Sequence, residues 1–191
     1  GSSEELPKVE GRIGEALAPY GLTKYMDELY ADIYRRCYGM EVIGLRYFNV
    51  FGPRQNPEGV YAAVIPRFIE SILGGRDVVV NGDGNNSRDF TYVDNVVDFN
   101  LRCFVTENEE VFGKVFNVAC GKSFSLNNLV DILGKKMGVN LGVRYESERE
   151  GDIRKSLADI DLGKRLLGYK VLVDFEAVSY THLRAHETRE D

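Results

Sequence analysis

Histidine is nearly missing from this chain: there are two, His182 and His186, both close to its end. Any proton transfer carried out by the body of the protein therefore falls to Tyr, Lys, Asp, Glu or Cys. The two histidines are four positions apart, a spacing that suits two metal ligands on one helix face. The HExxH pattern is nevertheless absent, since Glu187 follows the second histidine, and no metal site is expected. Cysteine is scarce too. Cys37, Cys103 and Cys120 are odd in number and widely spaced, which argues against a disulfide framework or a zinc site and fits a reducing cytoplasm. The sequence lacks an apolar run of about 18 residues and a signal-peptide pattern at Gly1-Ser2-Ser3-Glu4-Glu5, so neither membrane insertion nor secretion is expected. A basic excess is also lacking. The 24 Lys and Arg are interspersed among 30 Asp and Glu for a net charge of −6, which excludes a general nucleic-acid surface. Arg35-Arg36 and Lys135-Lys136 read as solvated helix faces.

What is present is a globular composition, 43% hydrophobic over 191 residues, enough for one good core or pieces of two. Pro19 stands where a helix can begin, and apolar or aromatic residues recur at helical spacing from Leu22 to Tyr34 until Gly39 ends it. Glu41 to Val50 is rich in Val, Ile, Leu, Tyr and Phe without clean alternation, the signature of a strand buried on both faces in a parallel sheet. A helix is predicted over Val64 to Leu73, a strand over Val78 to Val80, and a turn over Asn81-Gly82-Asp83-Gly84-Asn85-Asn86. Asp94 is a candidate cap for a helix through Val96 to Val105, followed by a short strand at Val115 to Ala119. Ser125 is a candidate cap for a helix ending near Met137, and Asp159 or Asp161 opens a short helix ending at Leu166-Leu167-Gly168. The alternation reads as α/β. From Val178 to Asp191 the apolar periodicity vanishes, and Ser179 to Thr188 resembles a translated sequencing adaptor, so this tail is set apart from fold reasoning.

The run Pro19-Tyr20-Gly21-Leu22-Thr23-Lys24 places a phenol and an ammonium at i and i+4, on one helix face. A tyrosine ordinarily ionises near pH 10. Using one as a base near neutrality takes roughly 4 kcal/mol of preferential phenolate stabilisation, which a neighbouring lysine charge can help supply. With 11 tyrosines in the chain the spacing alone is also compatible with ordinary helix surface.

The surrounding blocks occur in one order: the Tyr20 and Lys24 pair, Arg46-Tyr47-Phe48-Asn49-Val50-Phe51-Gly52-Pro53-Arg54, Gly82-Asp83-Gly84, Arg88-Asp89-Phe90, Tyr92-Val93-Asp94 and Arg149-Glu150-Gly151-Asp152. From about Leu6 to Glu176 they resemble the extended short-chain dehydrogenase/reductase family, in its NAD-dependent nucleotide-sugar epimerase/dehydratase branch. Tyr61-Ala62-Ala63-Val64-Ile65-Pro66 and Arg149 to Asp159 are similar to the UDP-N-acetylhexosamine 4-epimerases within it. The resemblance implies an α/β fold in two parts: the C-terminal part of a Rossmann domain, a doubly wound parallel sheet, over 1–53 and 87–120, and a smaller α/β substrate-binding domain over 54–86 and 121–177.

It also implies roles. The tyrosine matching Tyr20 takes the proton from the sugar 4-hydroxyl while NAD accepts hydride from C4, and the keto sugar turns and is reduced on its other face. The lysine matching Lys24 binds the nicotinamide ribose and favours the phenolate. Tyr47 and Phe48 are expected beside the nicotinamide and Asn49 on the sugar-nucleotide diphosphate, with Arg88 and Arg149 suited to the same phosphates by their guanidinium forks. Arg88 could instead pair with Asp89 or Asp94, and Arg149 with Glu148 or Glu150. Asp152 is expected on a ribose hydroxyl, and Ala63 and Val64 along the uridine. Ser156 is expected at the sugar, where a small residue admits an N-acetyl group. The implied partners are a UDP-sugar and, in the intact protein, a second copy packed through the Tyr20 helix; nucleic acid and membrane are not expected.

The sequence departs from the family in lacking the GxxGxxG turn that cradles the NAD pyrophosphate and the acidic residue that binds the adenine ribose. Ser2 and Ser3 stand too close to Tyr20 to match the family's catalytic Ser or Thr. The chain is expected to be part of a longer enzyme and not to retain NAD alone. A sister 4,6-dehydratase or decarboxylase, or a non-catalytic binding subunit of the same fold, stays open.

Overall fold

The computed structural model describes residues 3–16, 18–57, 63–148 and 153–177. Pro19–Tyr38 forms α1, with Pro19 in its first turn and Gly39 in the left-handed region at φ +67° closing it by an N–H bond of 2.9 Å to the Arg35 carbonyl. Arg35 and Arg36 lie in its last turn, and Lys135 and Lys136 in the last turn of a later helix, where each pair complements the helix dipole. Strands Gly44–Tyr47 (β1) and Val50–Phe51 (β2) follow, then helix Val64–Leu73 (α2), with the expected bounds. Val78–Asn81 (β3), Ser87–Arg88 (β4) and Thr91–Tyr92 (β5) lead into helix Val93–Val105 (α3). After a 3-10 turn at Glu109–Val111 come Val115–Val118 (β6), Phe124–Ser125 (β7), Leu126–Met137 (α4), Val143–Glu146 (β8) and Asp161–Leu167 (α5).

The fold is α/β with parallel pairing dominant. Among the described residues β1 pairs with β6, β2 with β5 and β3 with β8, all parallel; β4 and β7 are antiparallel. Parallel partners so distant in sequence require helical crossovers, which α2, α3 and α4 supply. Two apolar clusters result. One gathers Phe51, Ile65, Phe68, Val78, Val80, Phe90, Leu129 and Phe175 around β2, β3, α2 and α4. The other gathers Phe99, Val111, Phe116, Val118, Ala158, Leu167 and Tyr169 around β6, α3 and α5.

Two expectations are corrected, while α5 opens at one of its two expected positions. The residue flanking α3 is Tyr92, not Asp94, which sits inside the first turn and complements the dipole without capping. The long strand from Glu41 to Val50 resolves into β1 and β2, which pair with different partners, and β1 is only partly buried. The break falls at Asn49, whose φ of +32° leaves the extended region, and the neighbouring α1 has no buried residue and leaves Leu22, Met26, Leu29 and Ile33 exposed. Asp159 stands before α5, which begins at Asp161, and accepts the Asp161 N–H at 2.8 Å. Ser125 caps α4 as expected, in a reciprocal box with Asn128: its hydroxyl accepts the Asn128 N–H at 3.0 Å, and its own N–H reaches Asn128 Oδ1.

Buried Asn95 on α3 holds the segment after α5. Its Nδ2 donates to the Val173 carbonyl at 2.8 Å, and its Oδ1 accepts the N–H groups of Leu172 and Val173 at 2.9 and 3.0 Å. Asn95→Ala leaves these backbone groups without their partner and is expected to lower stability by about 1–3 kcal/mol in urea unfolding.

Candidate functional site

A cleft of about 210 Å3 opens where β1 passes into β2, between α2, β3 and the chain after β4. It gathers four predicted site residues from separate stretches of sequence: Asn49, Ala63, Val64 and Arg88. Phe68, Val79, Phe90 and Leu126 give it apolar walls, and Arg67 and Asn81 add polar groups. None of these six was assigned to the site from the sequence, although Asn81 and Phe90 stand in the quoted turn and motif. The legible signal was the alternation along β3: Val78 and Val80 are fully buried in the core, so Val79 and Asn81 turn to the opposite face.

Asn49 has φ +32°, an uncommon conformation for a residue other than glycine, but one that asparagine tolerates best. Its Nδ2 donates to the Asp89 carbonyl at 3.2 Å, and its own carbonyl accepts the Thr91 N–H at 3.3 Å. Arg88 donates from Nη1 to the Ser87 carbonyl at 2.9 Å. Asp89 is not a guanidinium partner. Its carboxylate is buried and accepts N–H bonds from Cys120 and Gly121 at 3.0 Å each and from Ala158 at 3.2 Å. Burial pushes this carboxyl up to about 6 in spite of those donors.

Ser156 is buried beside β4 and outside the lining of the cleft. Its N–H reaches the Ser87 carbonyl at 3.0 Å, and its carbonyl accepts the Ser123 hydroxyl at 2.9 Å, so it stands next to the residue that precedes Arg88. Arg149 and Asp152 lie outside the described residues.

Tyr20 and Lys24 share the exposed start of α1. The Tyr20 side is open, with the residue 73% exposed, and Lys24 Nζ lies 5.9 Å from its ring centroid while pairing with Asp27 Oδ2 at 3.1 Å. Tyr47 is exposed at the end of β1 and donates its hydroxyl to Asn100 Oδ1 on α3 at 3.1 Å; Phe48 packs half-buried against the second cluster. The helix is held to β1 by Arg46. Its Nε and Nη2 bind the two carboxylate oxygens of Glu28 at 2.7 Å each, and its Nη1 donates to the Glu10 carbonyl at 2.9 Å. Such bidentate, half-buried pairs fix geometry as well as adding energy.

A phenol and an ammonium on one open helix face fit the hydroxyls of a nicotinamide ribose and of a sugar. Among the described residues no glycine-rich turn leads directly from a strand into a helix, so a pyrophosphate cradle of the usual dinucleotide kind is not formed.

The family described as NAD dependent epimerase/dehydratase matches residues 1–119. A provisional UDP-glucose 4-epimerase of Methanocaldococcus jannaschii is 38% identical over 176 residues, 92% of this chain and 55% of its own length. The structure of UDP-N-acetylglucosamine 4-epimerase from Methanobrevibacter ruminantium M1, in complex with UDP-N-acetylmuramic acid, is 37% identical and superposes with a TM-score of 0.92. That similarity covers 99% of this chain and 60% of the other. UDP-glucuronic acid 4-epimerase from Bacillus cereus, in complex with UDP-glucuronic acid and NAD, is 27% identical with a TM-score of 0.83, covering 93% of this chain and 56% of the other. The chain thus spans somewhat more than half the length of these three proteins.

The raised Asp89 carboxyl has a consequence for stability. Its value of about 6 in the folded chain lies above the 3.8 of a free carboxyl, so the folded state holds the proton more tightly between those limits. The contribution of this group to stability is then fully present below about pH 4 and is lost as the pH rises through about 6, by about 3 kcal/mol. Urea unfolding of the unmodified chain against Asp89→Asn should show their stability difference shifting against the unmodified chain over that window and levelling above it.

Proposed function

Because the chain belongs to the NAD dependent epimerase/dehydratase family, we propose that it carries the UDP-sugar cleft and the proton-transfer pair of an NAD-dependent UDP-N-acetylhexosamine 4-epimerase. The observation that supports this reading best is the convergence of Asn49, Ala63, Val64 and Arg88 on one cleft. Arg88 offers a guanidinium fork to the diphosphate, Asn49 an amide, and Ala63 and Val64 an apolar edge for the uracil. Arg149 is assigned to the same diphosphate and Asp152 to a ribose hydroxyl. Ser156, next to Ser87 and behind the cleft lining, is assigned to the sugar end, where a small residue admits an N-acetyl group.

In this reading Tyr20 removes the proton from the sugar 4-hydroxyl, and Lys24 binds ribose hydroxyls and holds positive charge beside the phenol. Tyr47 and Phe48 form the wall next to the nicotinamide. NAD, when bound, supplies the acceptor for hydride from C4 and returns it to the opposite face. Residues 1–53 and 87–120 are assigned to the cofactor-binding part and 54–86 and 121–177 to the substrate-binding part, in a cytoplasmic enzyme. The exposed apolar residues of α1 suit packing against a second copy of the intact protein.

Isothermal titration tests the cleft directly. UDP-N-acetylglucosamine is expected to bind this chain, and Arg88→Ala to weaken it about tenfold or more, the loss of a hydrogen bond from a charged donor. Ser156→Tyr should weaken the N-acetylated nucleotide sugar relative to UDP-glucose. Unchanged affinity in Arg88→Ala removes the diphosphate from this cleft.

A further inference from the structure

We propose that Asp89 is a positioning residue for the nucleotide-sugar cleft, holding Arg88 and Asn49 in their binding geometry from the far side of the strand. The inference rests on the cleft reading given above and goes beyond it in adding a residue that touches no ligand.

Arg88 and Phe90 both line the cleft, whereas the carboxylate between them is turned away from it, onto the backbone of other segments. On that far side the Asp89 carboxylate takes N–H bonds from two separate segments. Cys120 and Gly121 belong to the turn after β6, and Ala158 lies two residues beyond Ser156. On the near side the Asp89 carbonyl receives the side-chain amide of Asn49, whose backbone is held at positive φ. One residue thereby ties together the three stretches that carry Asn49, Arg88 and Ser156. A carboxylate suits this task because each oxygen accepts more than one bond; an amide in its place offers one acceptor oxygen and turns an NH2 group toward backbone donors.

The groups around it do not share its titration range. The Cys120 thiol is pushed up to about 12 by burial, with the Asp89 charge adding to the effect. The Tyr169 hydroxyl donates to the Ala119 carbonyl at 2.9 Å and is pushed up by burial. Lys122 pairs with Asp174, which holds the lysine above and the aspartate below its ordinary range. Asp89, buried and near 6, is the group of this set that changes charge between about pH 5 and 7.5. Protonation converts one acceptor oxygen into a hydroxyl facing N–H donors, which loosens the tie while relieving the cost of a buried charge. Fold stability and ligand affinity should therefore respond to acid in opposite directions.

The test is titration of UDP-glucose into the unmodified chain, Arg88→Ala, Asp89→Asn and the double variant, with circular dichroism confirming the fold at each pH. UDP-glucose is a diphosphate diester whose own charge does not change in this range. Affinity of the unmodified chain is expected to fall about tenfold from about pH 7.5 to about pH 5, as the carboxylate-bearing fraction falls to about one tenth. Arg88→Ala should fall much less over the same range, since only the Asn49 tie is left to respond. Asp89→Asn should be weak and flat, and the loss in the double variant smaller than the sum of the two single losses, the non-additivity of groups that act together. Affinity independent of pH in the unmodified chain, or additive losses in the double variant, overturns the inference while leaving the cleft reading in place. Absence of binding by the unmodified chain at about pH 7.5 overturns both. If Asp89→Asn does not fold, the pH series on the unmodified chain and Arg88→Ala decides alone.

Discussion

The arrangement depends on a buried carboxylate that faces backbone amides. Asp89 sits at the seam between two apolar clusters: Phe90 after it belongs to one, while Ala158, one of its hydrogen-bond donors, and Ala119, next to the donor Cys120, belong to the other. Apolar contact alone does not fix how two such clusters meet, since packing tolerates sliding where shapes are similar. Directional bonds do. The cost is desolvation, visible in the raised carboxyl, and it is offset by the N–H groups that would otherwise be buried without partners. Asn95 repeats the device from α3, fixing the chain that brings Phe175 into the first cluster.

The Tyr20 helix is attached in a different way. α1 buries no residue, so its orientation is not set by an apolar stripe in the core. It is set by the Arg46 fork on Glu28, by the Glu10 carbonyl behind that fork, and by Glu10 Oε1 accepting the Asn117 N–H at 3.0 Å. Asn117 in turn binds the Lys8 and Asp159 carbonyls from its Nδ2. A short polar chain thus runs from α1 through β1 to β6 and the approach to α5. The pair that the proposed chemistry needs is placed by ion-pair geometry, and the cleft by core packing.

Local elements with local causes were legible in the sequence. The bounds of α2 follow from its periodicity, those of α1 from Pro19 and Gly39, and the start of α4 from Ser125. What was not legible depends on the rest of the molecule. Adjacent Arg88 and Asp89 invite a reading as an ion pair, yet the guanidinium borders the cleft while the carboxylate meets backbone amides of other segments, and only the fold shows which amides those are. The cleft residues Phe68, Val79 and Leu126 look like ordinary core, because helix and strand periodicity does not say which apolar position borders a hollow. The burial of β1 was overestimated from composition, since a strand's residue types do not report whether the neighbouring helix covers it.

Asn49 carries a lesson for protein engineering. A stability-guided redesign would mark it as a fault, a non-glycine residue at positive φ, and would offer glycine as the repair. That repair would remove the amide that reaches the Asp89 carbonyl and borders the cleft. Libraries built on this scaffold should hold that position constant and look for thermostability on exposed positions outside both the cleft and α1.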